Sequence, residues 1–191
     1  GLLFIALTKE RLELQQRNIT LIDPLTGLLN RRALTAQIER KSRHLGHGPQ
    51  QNALLVLDLD HFKPYNDHYG YSRGDQVILL VARLIEEHLS GETEFVAHVG
   101  GDDFVVVTRE PDWRPRMEQL LTRFDIEIPH CYDPDAVAQG GLPGLSRTGE
   151  EQFFPLLSLS IGVVQPDPSR CHSHHQVAAL AGDAKREAKR I

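Results

Sequence analysis

The chain has 191 residues, 40% of them apolar and 25% charged, with a formal net charge of −5. That length and balance describe one ordinary globular domain with an extra helix or insertion, and exclude both a disordered chain and a second full domain. The negative balance argues against broad phosphate-backbone binding, so no nucleic-acid partner is expected, whereas a small nucleotide with its own metal stays open. Two cysteines, Cys131 and Cys171, are too few for a disulfide framework and suit a reducing, cytoplasmic setting. The apolar opening yields at once to Lys9, Glu10 and Arg11, too soon to span a bilayer, so neither a targeting signal nor direct membrane contact is expected. Beginning inside a helical pattern and ending on Lys189-Arg190-Ile191 without a stop signal, the chain reads as a piece of a longer protein.

In chain order, residues 8 to about 22 read as a polar connector helix, halted by Asp23-Pro24, so the organisation predicted is a connector at 1–22 and a domain at 23–191. A second helix follows over about 30–44, with Ala33, Leu34 and Ile38 on one face. The run Ala53-Leu54-Leu55-Val56-Leu57 is continuously apolar and ends at Asp58, the pattern of a central strand buried on both faces. Gly74-Asp75 opens a long helix to about Leu89. Residues 95–97 and 104–107 flank Val99-Gly100-Gly101-Asp102-Asp103 and read as a hairpin with a glycine turn. A helix over about 112–124, a strand over 155–164 and a last helix over 176–189 complete the series. The stretch 129–152, with Gly140, Gly141, Pro143, Gly144 and Gly149, reads as an irregular insertion. This order predicts an α/β sandwich, a mostly antiparallel central sheet with flanking helices.

Asp58 and Asp60 leave the end of one buried strand, and Asp102 and Asp103 stand at the turn between two others. If those strands are neighbours, four carboxylates crowd into one site, and like charges so close need a cation or a proton. Hard carboxylate oxygens suit Mg²⁺, which keeps waters and shares its shell with substrate phosphates. The two glycines before Asp102 let backbone approach a triphosphate closely. A different cluster, Cys171-His172-Ser173-His174-His175, offers zinc-type ligands, but structural zinc takes ligands from a second segment, so a helix-entering loop is the better reading.

The string Asp58-Leu59-Asp60-His61-Phe62-Lys63-Pro64-Tyr65-Asn66-Asp67, then Gly70, Gly74-Asp75 and Gly100-Gly101-Asp102-Asp103-Phe104, resembles the GGDEF diguanylate cyclase family in order and spacing. Asp23-Pro24-Leu25-Thr26-Gly27-Leu28-Leu29-Asn30-Arg31-Arg32 resembles that family's opening signature. The resemblance implies a nucleotide-cyclase, polymerase-palm-like sandwich that condenses two GTP into cyclic di-GMP with release of pyrophosphate. It implies that Asp58, the Leu59 carbonyl and Asp102 hold Mg²⁺ or Mn²⁺, with Asp103 helping a second ion and Asp102 near the attacking 3′-hydroxyl. It implies that Asn66 and Asp75 read the guanine edge, that backbone around His61, Phe62 and Lys63 faces the triphosphate, and that Lys189 binds phosphate. Since each domain would hold one GTP, the resemblance implies a homodimer as the active species.

Departures from the family pattern bear on activity. His98 stands where the family has Arg, Asp103 replaces the usual Glu, and Gly91-Glu92-Thr93-Glu94 replaces an Arg-x-x-Asp product-inhibition motif, so no such feedback site is expected. The last helix carries Lys185-Arg186 where the family commonly has Leu-Tyr, which together with the insertion resembles the subgroup joined to Glu-Ala-Leu phosphodiesterase and CBS domains. Two functions therefore follow: an active diguanylate cyclase, or a weak or inactive GTP-binding module that regulates an attached phosphodiesterase domain.

Overall fold

The computed structural model describes residues 21–43, 53–89, 91, 94–146, 148–165 and 174–188. In chain order these form β1 (Leu29–Asn30), α1 (Arg31–Arg43), β2 (Ala53–Asp60), α2 (Phe62–Tyr69), α3 (Tyr71–Leu89), β3 (Phe95–Gly100), β4 (Asp103–Thr108) and α4 (Trp113–Glu127). A 3₁₀ turn (Ile128–Cys131), α5 (Pro134–Gln139), β5 (Gly141–Leu145), β6 (Glu151–Pro155), β7 (Ser158–Val164) and α6 (His174–Ala188) follow. The main sheet runs β1-β3-β4-β2-β7, antiparallel except for the parallel β1–β3 pair, and β5–β6 form a separate hairpin. The expected α/β sandwich with a mostly antiparallel sheet is what the chain forms.

β2 is central because its side chains are apolar on both faces, and successive residues of a strand point opposite ways. Ala53, Leu55, Leu57 and Leu59 join the larger core with Val77, Val81, Leu84 and Ile85 of α3 and Leu120 and Phe124 of α4. Leu54 and Val56 join the other, with Leu34 of α1, Val105 and Val107 of β4, and Ala184 of α6. Each of the larger of these side chains taken from water contributes about 1.5–3 kcal/mol, so the strand that carries Asp58 is firmly fixed.

Several boundaries differ from the sequence reading, each for a local reason. Ile22 is not helical; it makes an isolated antiparallel bridge with Leu29, and the rest of the expected connector helix lies outside the described residues. The helix expected to open at Gly74 begins at Tyr71, and an unanticipated helix, α2, precedes it. α2 is only eight residues long and carries Pro64, tolerated because it sits in the first turn, where its missing N–H has no helical partner. It is secured from outside, by Tyr65, which is buried and donates its hydroxyl to the Cys131 carbonyl at 2.7 Å. The stretch 129–152 is not irregular: it holds most of the 3₁₀ turn, α5, β5 and the start of β6. Gly141 serves close contact, since a Cβ there would lie 2.1 Å from the Phe154 carbonyl oxygen, whereas Gly140 and Gly149 turn the backbone at φ 77° and 84°. The strand expected over 155–164 divides, its first residue ending β6 and β7 starting at Ser158.

One buried ion pair knits the helical layer to the sheet. Glu94, its side chain fully enclosed, accepts from Arg116 Nη1 at 2.8 Å and Nη2 at 2.9 Å, and from Thr108 Oγ1 at 3.0 Å, while Arg116 Nε donates to the His88 carbonyl at 2.7 Å. Removing one partner of such a pair strands the other charge, at a cost of about 3–5 kcal/mol. Glu94→Ala is therefore expected to lower the unfolding free energy by roughly that amount, measured by urea denaturation against the wild type.

Candidate active site

β2 and β4 are neighbours in register, with Asp58 directly opposite Asp103. The turn leading into β4 requires its glycines, because Gly100 and Gly101 adopt φ of 118° and 62° and the β3–β4 register shifts there. This turn carries Asp102 back toward the end of β2, so that Asp58, Asp102 and Asp103 each offer an oxygen within 4.8 Å of the others. Asp58 is buried and the other two partly so. Burial, then the neighbouring Asp58 charge, push the Asp102 carboxyl above its usual range. Three converging carboxylates of this kind fit a hard divalent cation.

The fourth acid of the sequence reading does not belong to this cluster. Asp60 accepts from Ser158 Oγ at 3.1 Å and from Ser160 Oγ across the β2–β7 ladder. Lys185 of α6, assigned no role from sequence, enters instead: its Nζ lies 2.7 Å from Asp58 Oδ1 and also bonds Asp103 Oδ1. Burial disfavours its charge, but the hydrogen bonds to Asp103 and Asp58 outweigh that and raise its pKa.

The acidic turn is tied to the opening turn of the domain. Asp23 Oδ1 accepts from the Thr26 amide at 2.9 Å and the Thr26 hydroxyl at 2.8 Å, an Asx turn closed by Gly27 at φ 75°. His98 reaches both turns, with Nδ1 3.0 Å from Asp23 Oδ1 and Nε2 3.0 Å from the Gly101 carbonyl, its ring stacked on Phe104. Burial raises the Asp23 pKa, but the bonds from His98 and Thr26 leave it lowered overall. His98 thus makes a short, direct link between the two turns.

Two cavities meet at Asp102. One of about 330 Å³ is lined by Phe62, Lys63, Asn66, Asp75, His98, Gly101 and Asp102 among others. Within it the buried Asn66 Oδ1 has no hydrogen-bond partner among the described residues, an unsatisfied acceptor at the cavity wall. Gly74 makes room for that amide, since a Cβ there would lie 1.9 Å from Asn66 Oδ1. The other cavity, about 680 Å³, extends from Leu59, Phe62, Lys63 and Asp102 to Leu145 and Phe154 of the β5–β6 hairpin. Lys63 is exposed and paired with Asp67. Lys189 and the cluster from Cys171 to Ser173 lie outside the described residues, as do the side chains of His174 and His175.

The sequence model of the family described as "Diguanylate cyclase, GGDEF domain" matches residues 20–138. The chain belongs to the GGDEF family. Diguanylate cyclase DgcP of Pseudomonas aeruginosa is 37% identical over 116 residues, 61% of this chain and 17% of its own length. An uncharacterized protein of Mycobacterium tuberculosis H37Rv is 35% identical over 167 residues, 87% of this chain and 24% of its own. This GGDEF chain therefore spans about a quarter or less of those relatives. Among solved structures, the coiled coil and GGDEF domain of DgcB from Caulobacter crescentus, in complex with c-di-GMP, matches with a TM-score of 0.70 and 28% identity, covering 97% of this chain and 88% of that one. Among the described residues of this GGDEF chain, no helix is long and apolar enough to cross a membrane.

Because Asp102 holds its proton to higher pH when folded than when unfolded, the unfolded chain ionises first. The folded state therefore loses stability as pH rises through the ordinary value of 3.8 to the raised one. In metal-free buffer Asp102→Asn is expected to melt a few degrees above the wild type at neutral pH, with the difference vanishing at strongly acidic pH. Scanning calorimetry over pH checks this.

Proposed function

We propose that this domain is a diguanylate cyclase: it binds GTP with a divalent metal and, with a second copy facing it, joins two GTP into cyclic di-GMP. The observation that carries the reading is the convergence of Asp58, Asp102 and Asp103 beside a cavity holding an open Asn66 acceptor. Asn66 Oδ1 and the Asp75 carboxylate are acceptors suited to guanine N–H groups, and the Asn66 amide N–H to its carbonyl, a pattern adenine does not match. Phe62 and Lys63 line both cavities, which supports a triphosphate running past the first turn of α2 from the guanine pocket toward the acids. Lys189, which lies outside the described residues, would add a cation to the phosphates. Asp58, the Leu59 carbonyl and Asp102 would hold Mg²⁺ or Mn²⁺, and Asp103 would assist a second ion. Such an ion, when bound, neutralises phosphate charge and lowers the pKa of a coordinated hydroxyl.

In the reaction, the 3′-oxygen of one GTP forms a bond to the α-phosphorus of the other, the bond to the β-phosphate oxygen breaks, and pyrophosphate leaves. The exchange repeated in the opposite sense closes the ring. Asp102, with its raised pKa and its place where the two cavities meet, is the group suited to take the hydroxyl proton. Since one chain supplies one such site, a homodimer is the working unit. The greater length of the relatives supports further domains on the same polypeptide.

Incubated with GTP and Mg²⁺, the protein is expected to yield cyclic di-GMP by chromatography, and Asp102→Asn to lose at least about 100-fold in rate, the effect of several kcal/mol. Asn66→Ala is expected to raise the KM for GTP about tenfold and to narrow its advantage over ATP. Absence of product from the wild type at every protein concentration contradicts the cyclase reading.

One observation favours a second reading, a GTP-binding module that regulates an attached domain without turnover: an ammonium group already bridges two of the three acids. Calorimetric GTP binding without product formation distinguishes it.

A further inference from the structure

The position of Lys185 is built into the fold. Gly162 of β7 pairs with Val56 of β2, two residues before Asp58, and α6 crosses directly over it. A Cβ on Gly162 would lie 2.6 Å from the Ala184 carbonyl carbon and 2.8 Å from the Lys185 amide nitrogen, so the bare glycine lets the helix backbone rest on the sheet. The same close approach sets the Lys185 stem above the rung formed by Asp58 and Asp103, which lie on the sheet face that also carries Val56, Val105 and Val107. Asp58 is 1% exposed, too enclosed for water to compensate its charge. Among the described residues the Lys185 ammonium meets both Asp58 Oδ1 and Asp103 Oδ1.

Resting on the metal-site reading above, we propose that Lys185 is a tethered counter-ion that competes with divalent metal for the Asp58–Asp103 pair, so that the domain without nucleotide takes metal weakly. Lys185 takes a lone pair from one oxygen each of Asp58 and Asp103 and sets a positive charge beside the acids, so a divalent cation entering there is repelled and finds fewer free lone pairs unless Lys185 moves aside. Asp102 makes no ion pair with Lys185 among the described residues. Triphosphate oxygens would then supply the added negative charge that draws both cations into one site. Lys185 is a positioning residue in this account, acting on the acids and not on the reacting atoms.

The test measures Mn²⁺ binding without nucleotide, from the electron paramagnetic resonance signal of free Mn²⁺, for the full 191-residue chain and its Lys185→Gln, Lys185→Leu and Lys185→Arg variants. Gln and Leu are expected to bind Mn²⁺ on the order of tenfold more tightly than the wild type, the effect of removing one partly screened charge, whereas Arg stays near the wild type. In EDTA the Gln and Leu variants are expected to melt below the wild type, and saturating Mn²⁺ to raise their melting temperature by more. Where Leu fails to fold, the longer, polar Gln carries the comparison. Cooperatively melting Gln and Arg variants with equal Mn²⁺ affinity overturn the proposal, and if the wild type then binds Mn²⁺ with GTP the metal reading survives. If neither wild type nor variants bind Mn²⁺ with GTP present, both readings fall.

Discussion

The arrangement of the site follows from one electrostatic constraint: Asp58 lies near the end of a strand whose preceding side chains are buried and apolar, and two further carboxylates are folded against it. Water is excluded on that side by the core, so the charges must be met by a proton, an ammonium or a metal. The surroundings bear on all three. Burial and the Asp58 charge push the Asp102 carboxyl upward, Lys185 bridges Asp58 and Asp103, and the oxygen set suits a hard cation. A hydrophobic strand thus delivers the charge, and the acidic turn with its two left-handed glycines concentrates it.

The two ends of the site are coupled by short contacts across distant parts of the sequence. His98 joins the Asp23 turn to the Gly101 carbonyl, and Gly74 lets Asn66 pack at the start of α3. The imidazole spans this gap with one ring nitrogen facing each turn. The hairpin β5–β6 forms the far wall of the larger cavity, so the segment of 129–152 contributes to the site's shape as well as to the core.

Much of this was legible in the sequence because the strongest signals were also the functional ones. The unbroken run before Asp58 announces a strand buried on both faces, and the Gly-Gly-Asp-Asp turn announces the hairpin beside it. Other features depend on contacts that no local pattern carries. α2 is short, holds Pro64, and is fixed by Tyr65 reaching Cys131, 66 residues away. Glycine and proline made 129–152 look irregular, although Gly141 is required by the close passage of β6. Asp60 shares its spacing with Asp58, yet the serines of β7 claim it. Lys185 stood out as a departure in residue type, but its reach to the acids depends on Gly162, which only the sheet pairing places beneath it.

The central claim is that the acids and the Asn66 pocket form one metal–nucleotide site. Anomalous diffraction from crystals grown with Mn²⁺ and a non-hydrolysable GTP analogue tests it most directly. The account predicts a Mn²⁺ peak between Asp58 and Asp102, with the guanine ring between Asn66 and Asp75. A peak elsewhere, or an analogue bound away from both residues, would contradict it.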